Sequence, residues 1–173
     1  AHAAAGEEFC PGCPVPTCFH RIGWREITEG VFRPRTHYPV AERPGAMAGI
    51  LPLAEVKSRL FGHALVSLPF GVYGGPAATD AEAGRALVEA ASDLADSLDV
   101  EHLEFRSCAA KCPAWPQQDL YVRFRKTLHA DPEANLLAVP RKQRAMIRKG
   151  IRNGLRSEID RSVDRFFALY ADN

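Results

Sequence analysis

With 173 residues, 46% of them hydrophobic and 25% charged, the chain is long enough to bury a core and has the composition of an ordinary globular protein. A formal net charge of +1 points to no class of partner by itself, no run approaches the roughly 18 apolar residues of a membrane-spanning helix, and no basic stretch followed by an apolar one opens the sequence, so a cytoplasmic location is the expectation. Five cysteines, Cys10, Cys13, Cys18, Cys108 and Cys112, form an odd and widely spread set, which argues against a secreted disulfide framework.

Residues 1–18 are small, proline-rich and aperiodic, the pattern of a poorly ordered leader. Cys10 and Cys13, with Cys108 and Cys112, could together offer four thiolates to zinc, or remain reduced thiols. From Phe19 onward, Phe19, Ile22, Ile27 and Phe32 with Trp24 predict a short amphipathic helix laid on a sheet. Thr36, Tyr38 and Val40 then alternate toward a strand that Pro34 and Pro39 weaken to an edge, and Pro44-Gly45 supplies the next turn.

Met47–Pro76 is the densest apolar stretch of the chain and reads as two strands joined by the polar tip Lys57, Ser58, Arg59 and Gly62. The first carries Ile50, Leu51, Leu53 and Val56 on both faces, as in a strand covered on both sides. The second puts Ala64, Val66, Leu68, Phe70 and Val72 on one face. Pro52 and Pro69 cannot donate to a ladder, so the sheet is expected to be interrupted, bulged or open there. Gly71, Gly74 and Gly75 around Tyr73 bring main chain close to whatever lies beside it.

Thr79 and Glu82 have the spacing of a capping box, Asp80 adds a negative charge to a first helical turn, and Leu87, Ala91, Leu94 and Leu98 make one apolar stripe before Asp99. Leu103 and Phe105 predict a following strand, and Leu120, Val122 and Phe124, alternating with Tyr121, Arg123 and Arg125, predict another. The sum is an α/β sheet of about five strands with helices packed on it. Asp131-Pro132-Glu133 starts a new helix and Pro140 a second, with Ile147, Ile151 and Leu155 on one side and Arg141, Arg144, Arg148 and Arg152 on a neighbouring one. Residues 155–159 read as a short strand, and Val163, Phe166, Phe167 and Tyr170 as a last amphipathic helix, so the chain is expected to end inside a domain.

The basic helix is the strongest local sign of a ligand. Seven bases between Arg141 and Arg156 meet no acid, and such a row suits phosphate, whether of an RNA backbone or a diphosphate, or else is a solvated stripe. No nucleophile triad, phosphate loop or zinc-protease motif stands out. A phenol held among glycines, as in Gly71-Val72-Tyr73-Gly74-Gly75-Pro76, could donate to a reacting carbonyl or amine.

At LPLAEVKSRLFGHALVSLPFGVYGGP, and again at HRIGWREI, VEHLEFR, DLYVRFRK and PRKQRAMIRKGIRNGL, the chain resembles the FemAB family of N-acyltransferases, in particular the members associated with the exosortase (PEP-CTERM) system. The resemblance implies a mixed central sheet flanked by helices, the GNAT-like acyltransferase fold, over residues 19–130, and the truncated start of a second such domain over 131–173. It implies transfer of an aminoacyl or acyl group to an amine acceptor, of peptidoglycan-precursor type in familiar members. The donor, aminoacyl-tRNA or acyl-CoA, comes as a co-substrate, with no tightly bound cofactor and no metal. On that reading Tyr73 polarises the reacting carbonyl, Arg106 stands near the sheet end, and Lys142, Arg144, Arg148 and Lys149 hold phosphate of a tRNA or nucleotide-linked substrate. The alternative is a non-catalytic RNA- or anion-binding module built on the basic helix 140–156.

Overall fold

Two prolines decide where the sheet breaks. Pro39 and Pro52 fall on neighbouring rungs of one antiparallel ladder, and neither has an N–H to give it. In the computed structural model, which describes residues 17–60, 62–107, 112–118 and 120–172, the chain changes sheets at that point. Strands β1 (Thr36–His37) and β2 (Val40–Arg43) run on one side of the ladder, β3 (Ala46–Ile50) and β4 (Leu53–Ser58) on the other. β1 pairs with β4 through Thr36↔Ala54 and His37↔Leu53, and β2 pairs with β3 from Val40↔Ile50 to Arg43↔Ala46 around a bulge at Ala41/Glu42. Between them a single bond, Leu51 N–H to Pro39 O at 3.0 Å, carries the ladder across the bend. The expected first strand of the apolar stretch is therefore two strands in two sheets.

Pro44-Gly45 closes this hairpin, with Gly45 at φ +79°. Strand β5 (Gly62–Ser67) returns antiparallel to β4, and the two-residue β6 (Ala77–Ala78) pairs with β3. Helix α2 (Ala81–Ser97) then crosses to β7 (His102–Phe105), which lies parallel to β5. One sheet has the order β1-β4-β5-β7 and the other β2-β3-β6, so the architecture is mixed α/β, as the sequence implies. Asp80, one residue beyond the expected Thr79, caps α2: its carboxylate accepts from the N–H groups of Glu82 at 3.0 Å and Ala83 at 2.9 Å. The stripe Leu87, Ala91 and Ala95 packs on Leu51, Leu53 and Leu65 to make the core, with Leu94, Leu98, Leu103 and Phe105 against it.

The opposite sheet face is buried too, at Ala54, Ala64 and Val66. A 3₁₀ turn (Cys18–His20) leads into α1 (Ile22–Ile27), which continues as a π-helical stretch over Thr28–Phe32. From this segment Arg25 lies 5.9 Å over the ring of Tyr38, and Phe32 stacks on Phe70 at 3.8 Å. Strand β5 stops earlier than its alternation predicts. Leu68 takes a left-handed φ of +57°, which no strand tolerates, so Leu68 ends the buried row while Phe70 and Val72 stay 45% and 71% exposed.

The chain divides into two compact units, Ala1–Gln118 and Asp119–Asn173. In the second, α3 (Pro132–Leu137) is capped by Asp131, whose carboxylate accepts from Glu133 N–H at 3.0 Å, and α4 (Arg141–Arg152) and α5 (Asp164–Ala171) follow as expected. The strand expected at Leu120–Phe124, as the last of the first domain's sheet, and the short one expected at 155–159 are both absent among the described residues. The alternating residues Leu120, Tyr121, Val122 and Phe124 are all exposed, with no ladder to join. Just beyond them Asn135 takes both backbone groups of His129, donating to its carbonyl at 2.7 Å and accepting from its N–H at 2.9 Å, a local alternative to sheet pairing. Residues 155–159 likewise form no strand. Among the described residues no helix is long and apolar enough to cross a membrane.

Candidate active site

In an open α/β sheet the carboxyl ends of parallel strands leave a crevice where ligands bind. Here those ends are Ser67 of β5 and Phe105 of β7, paired in register. Arg106 N–H donates to Ser67 Oγ at 2.8 Å, tying the two ends together. The loop that leaves β5 is drawn back onto the same point, since the N–H groups of Gly74 and Gly75 donate to Arg106 O at 2.8 and 3.2 Å. So close a return leaves no room for side chains. A Cβ on Gly75 would lie 3.2 Å from Ser107 Cβ and collide with Ser107 Oγ, and one on Gly74 would lie 2.7 Å from Leu68 Cγ. Ser107 Oγ is buried beside this turn with no hydrogen-bond partner.

Tyr73, half-buried at the head of the turn, sets its ring edge-on to Phe19 at 5.9 Å, and Phe19 in turn meets Trp24 at 4.7 Å. The two candidates of the first unit, Tyr73 and Arg106, thus belong to one loop-and-strand-end cluster. Their parts differ. The Arg106 guanidinium donates to Glu104 Oε1 on its own strand at 2.7 Å and to the carbonyl of Pro69, so it ties the start of the loop to the end of β7. His20 joins the cluster from the N-terminal turn, with Nε2 2.9 Å from Gly75 O. Nothing in its sequence context marks it, because the contact spans fifty-five residues.

A second cluster lies on the β1-β4-β5 side. Glu55, 5% exposed, accepts from His37 Nε2 at 2.8 Å and pairs with Lys57 Nζ at 3.0 Å, with His63 Nε2 at 3.4 Å and Arg35 Nε at 3.9 Å. Burial pushes its carboxyl pKa up, but the hydrogen bonds and charges of His37 and Lys57 outweigh that and hold it near 2, at about 2 against an ordinary 4.5. His37, His63 and Glu55 carry no signal as single residues. They come together only through the pairing of β1, β4 and β5, so no spacing in the sequence marks them.

In the second unit, Arg141, Arg144, Arg148 and Arg152 line one shallow concavity of ≈ 420 Å³ around Ala145. The sequence-picked Arg144 and Arg148 sit there, whereas Lys142 and Lys149 do not line it. Arg148 is paired with Glu133 at 3.2 Å. Of the four thiols considered for zinc, Cys10, Cys13 and Cys108 lie outside the described residues, and Cys112 is a free thiol whose pKa burial raises. Among the described residues no group of three or more His, Cys, Asp or Glu side chains could hold a metal ion. Comparison with protein-family models, curated proteins and solved structures gives no match.

Proposed function

We propose that the protein is an N-acyltransferase of the FemAB type, with a GNAT-like first unit. It would move an aminoacyl or acyl group from a tRNA or thioester donor to an amine acceptor, such as a peptidoglycan-precursor-like peptide. One observation carries this reading: the carboxyl ends of the parallel pair β5/β7 meet a glycine turn that presents Tyr73. Reactants held at such a strand end need only alignment and polarisation. The amine nitrogen attacks the acyl carbon, the C–O bond of an aminoacyl-tRNA or the C–S bond of a thioester breaks, and the departing alcohol or thiol takes the proton that the amine gives up. Tyr73 polarises the carbonyl in this scheme and Arg106 keeps the loop in place.

The test is transfer of a radiolabelled acyl group from aminoacyl-tRNA or acyl-CoA to a panel of amines. Tyr73→Phe is expected to lower kcat by about a hundredfold and leave the fold intact by circular dichroism. Absence of transfer with every donor class would overturn the reading. A second reading has its own observation, the arginine row of α4: an RNA- or anion-binding module without chemistry. It predicts RNA affinity that falls steeply with salt and is lost in Arg144→Glu/Arg148→Glu, whereas salt-independent binding would exclude it.

A further inference from the structure

His20 stands at the seam between the N-terminal turn and the glycine loop, and the residue is 3% exposed. Nε2 lies 2.9 Å from the carbonyl of Gly75, while Nδ1 lies 3.2 Å from the N–H of Thr17 and 2.9 Å from its hydroxyl. A carbonyl can only accept, so Nε2 carries the proton; in a neutral ring Nδ1 is then an acceptor, which suits the Thr17 N–H. The tautomer is set from both sides.

We propose that His20, held as the neutral Nε2–H tautomer, is a positioning residue of the site. It pins the Gly75 carbonyl while the Gly74 and Gly75 N–H groups hold Arg106 O, and together these bonds fix the loop that presents Tyr73. Its role in a reaction rests on the acyl-transfer reading; the pin itself does not. A second proton on Nδ1 would end its acceptance from the Thr17 N–H and leave the Thr17 hydroxyl, 2.9 Å away, as its acceptor. Burial, the larger effect, lowers the pKa of His20, with the bond to the Gly75 carbonyl opposing it. The neighbouring charges are engaged elsewhere, Arg106 with Glu104 and Arg25 with Glu29, while Arg21 and Cys18 flank His20 on its own turn and Tyr73 lies on the loop. Charging His20 at low pH keeps Nε2–H on the Gly75 carbonyl but breaks the bond from the Thr17 N–H, so acid acts on the loop through the turn that carries the ring.

Long-range ¹⁵N spectra of the wild-type chain report the tautomer directly, and amide exchange of Gly74 and Gly75 from pH 8 downward, at intervals of about one unit, reports the loop. His20→Phe, which keeps a ring but neither bond, is expected to lower protection of both amides about tenfold or more, the loss of one buried hydrogen bond. His20→Gln, a donor that does not titrate, should keep most of the protection and abolish its loss in acid. A Nδ1–H tautomer overturns the proposal, as does unchanged protection in His20→Phe. Should that variant fail to fold, the tautomer and the pH series of His20→Gln against wild type decide. Acyl transfer is measured beside exchange: protection that follows His20 without any transfer keeps the pin and removes the reaction, and transfer whose pH profile is indifferent to His20→Gln does the reverse.

Discussion

A single methyl group tests how tightly the glycine turn is closed. Gly75→Ala forces a Cβ onto Ser107, and the expected cost is about 1–3 kcal/mol by analogy with overpacked cores. Because the collision is with one side chain, Ser107→Gly in the same molecule should return much of that stability, and urea denaturation of the single and double variants measures the coupling. Additive losses would mean the turn fails for another reason. At Glu55 the quantity to follow is acid stability. Its folded pKa, about 2, lies below the ordinary 4.5, so its contribution is fully present above about pH 4.5 and is lost as pH falls toward 2. Glu55→Gln should flatten the dependence of unfolding free energy on pH within that window, and an unchanged slope would place the acid sensitivity elsewhere. The close approach of main chain at Gly75 is legible in the sequence, but its partner Ser107 is not, and nothing there singles out Glu55. Ser107 and Gly75 meet only because a loop folds back, and Glu55 gains its partners from strands whose order no periodicity reveals.

At the scale of elements, local signals were read well wherever a segment settles its own backbone. The helices α2, α3, α4 and α5 stand where apolar stripes and acidic or proline starts put them, since caps and i, i+4 contacts lie within the segment. Asp80 shows how much rests on one such group. Asp80→Ala removes the acceptor of two N–H groups and is expected to cost about 1 kcal/mol, read as a lower midpoint in urea, while Asp80→Asn should keep most of it. Equal losses in the two variants would assign the effect to the ion pair with Arg43 instead. Strands were legible only in part. Alternation at Leu120, Val122 and Phe124 resembles that of β5, yet a strand needs a neighbour that supplies its hydrogen bonds, and sequence alone does not say whether one is there. Pro52 was informative for the opposite reason, because a missing N–H breaks a ladder whatever lies beside it.

For the molecule as a whole, the two units differ in what holds them. The first buries Leu51, Leu53, Leu65 and Leu87 at 1% exposure or less, whereas among the described residues of the second none is buried. Apolar burial is the main favourable term in folding, so protection against amide exchange should be distributed accordingly. In the whole chain the amides of β4, β5 and α2 are expected to open only with global unfolding. Those of α4 and α5 should exchange at least about a hundredfold faster, since isolated helices of this length are marginal in water. Leu87→Ala sharpens the comparison. It removes a side chain 1% exposed at the centre of the core, with an expected cost of about 2–5 kcal/mol, and should speed exchange throughout β4, β5 and α2 while leaving α4 and α5 unchanged. Equal acceleration across all five helices and both sheets would show a single cooperative unit, and the arginine row of α4 would then be stabilised by the same core that shapes the glycine turn.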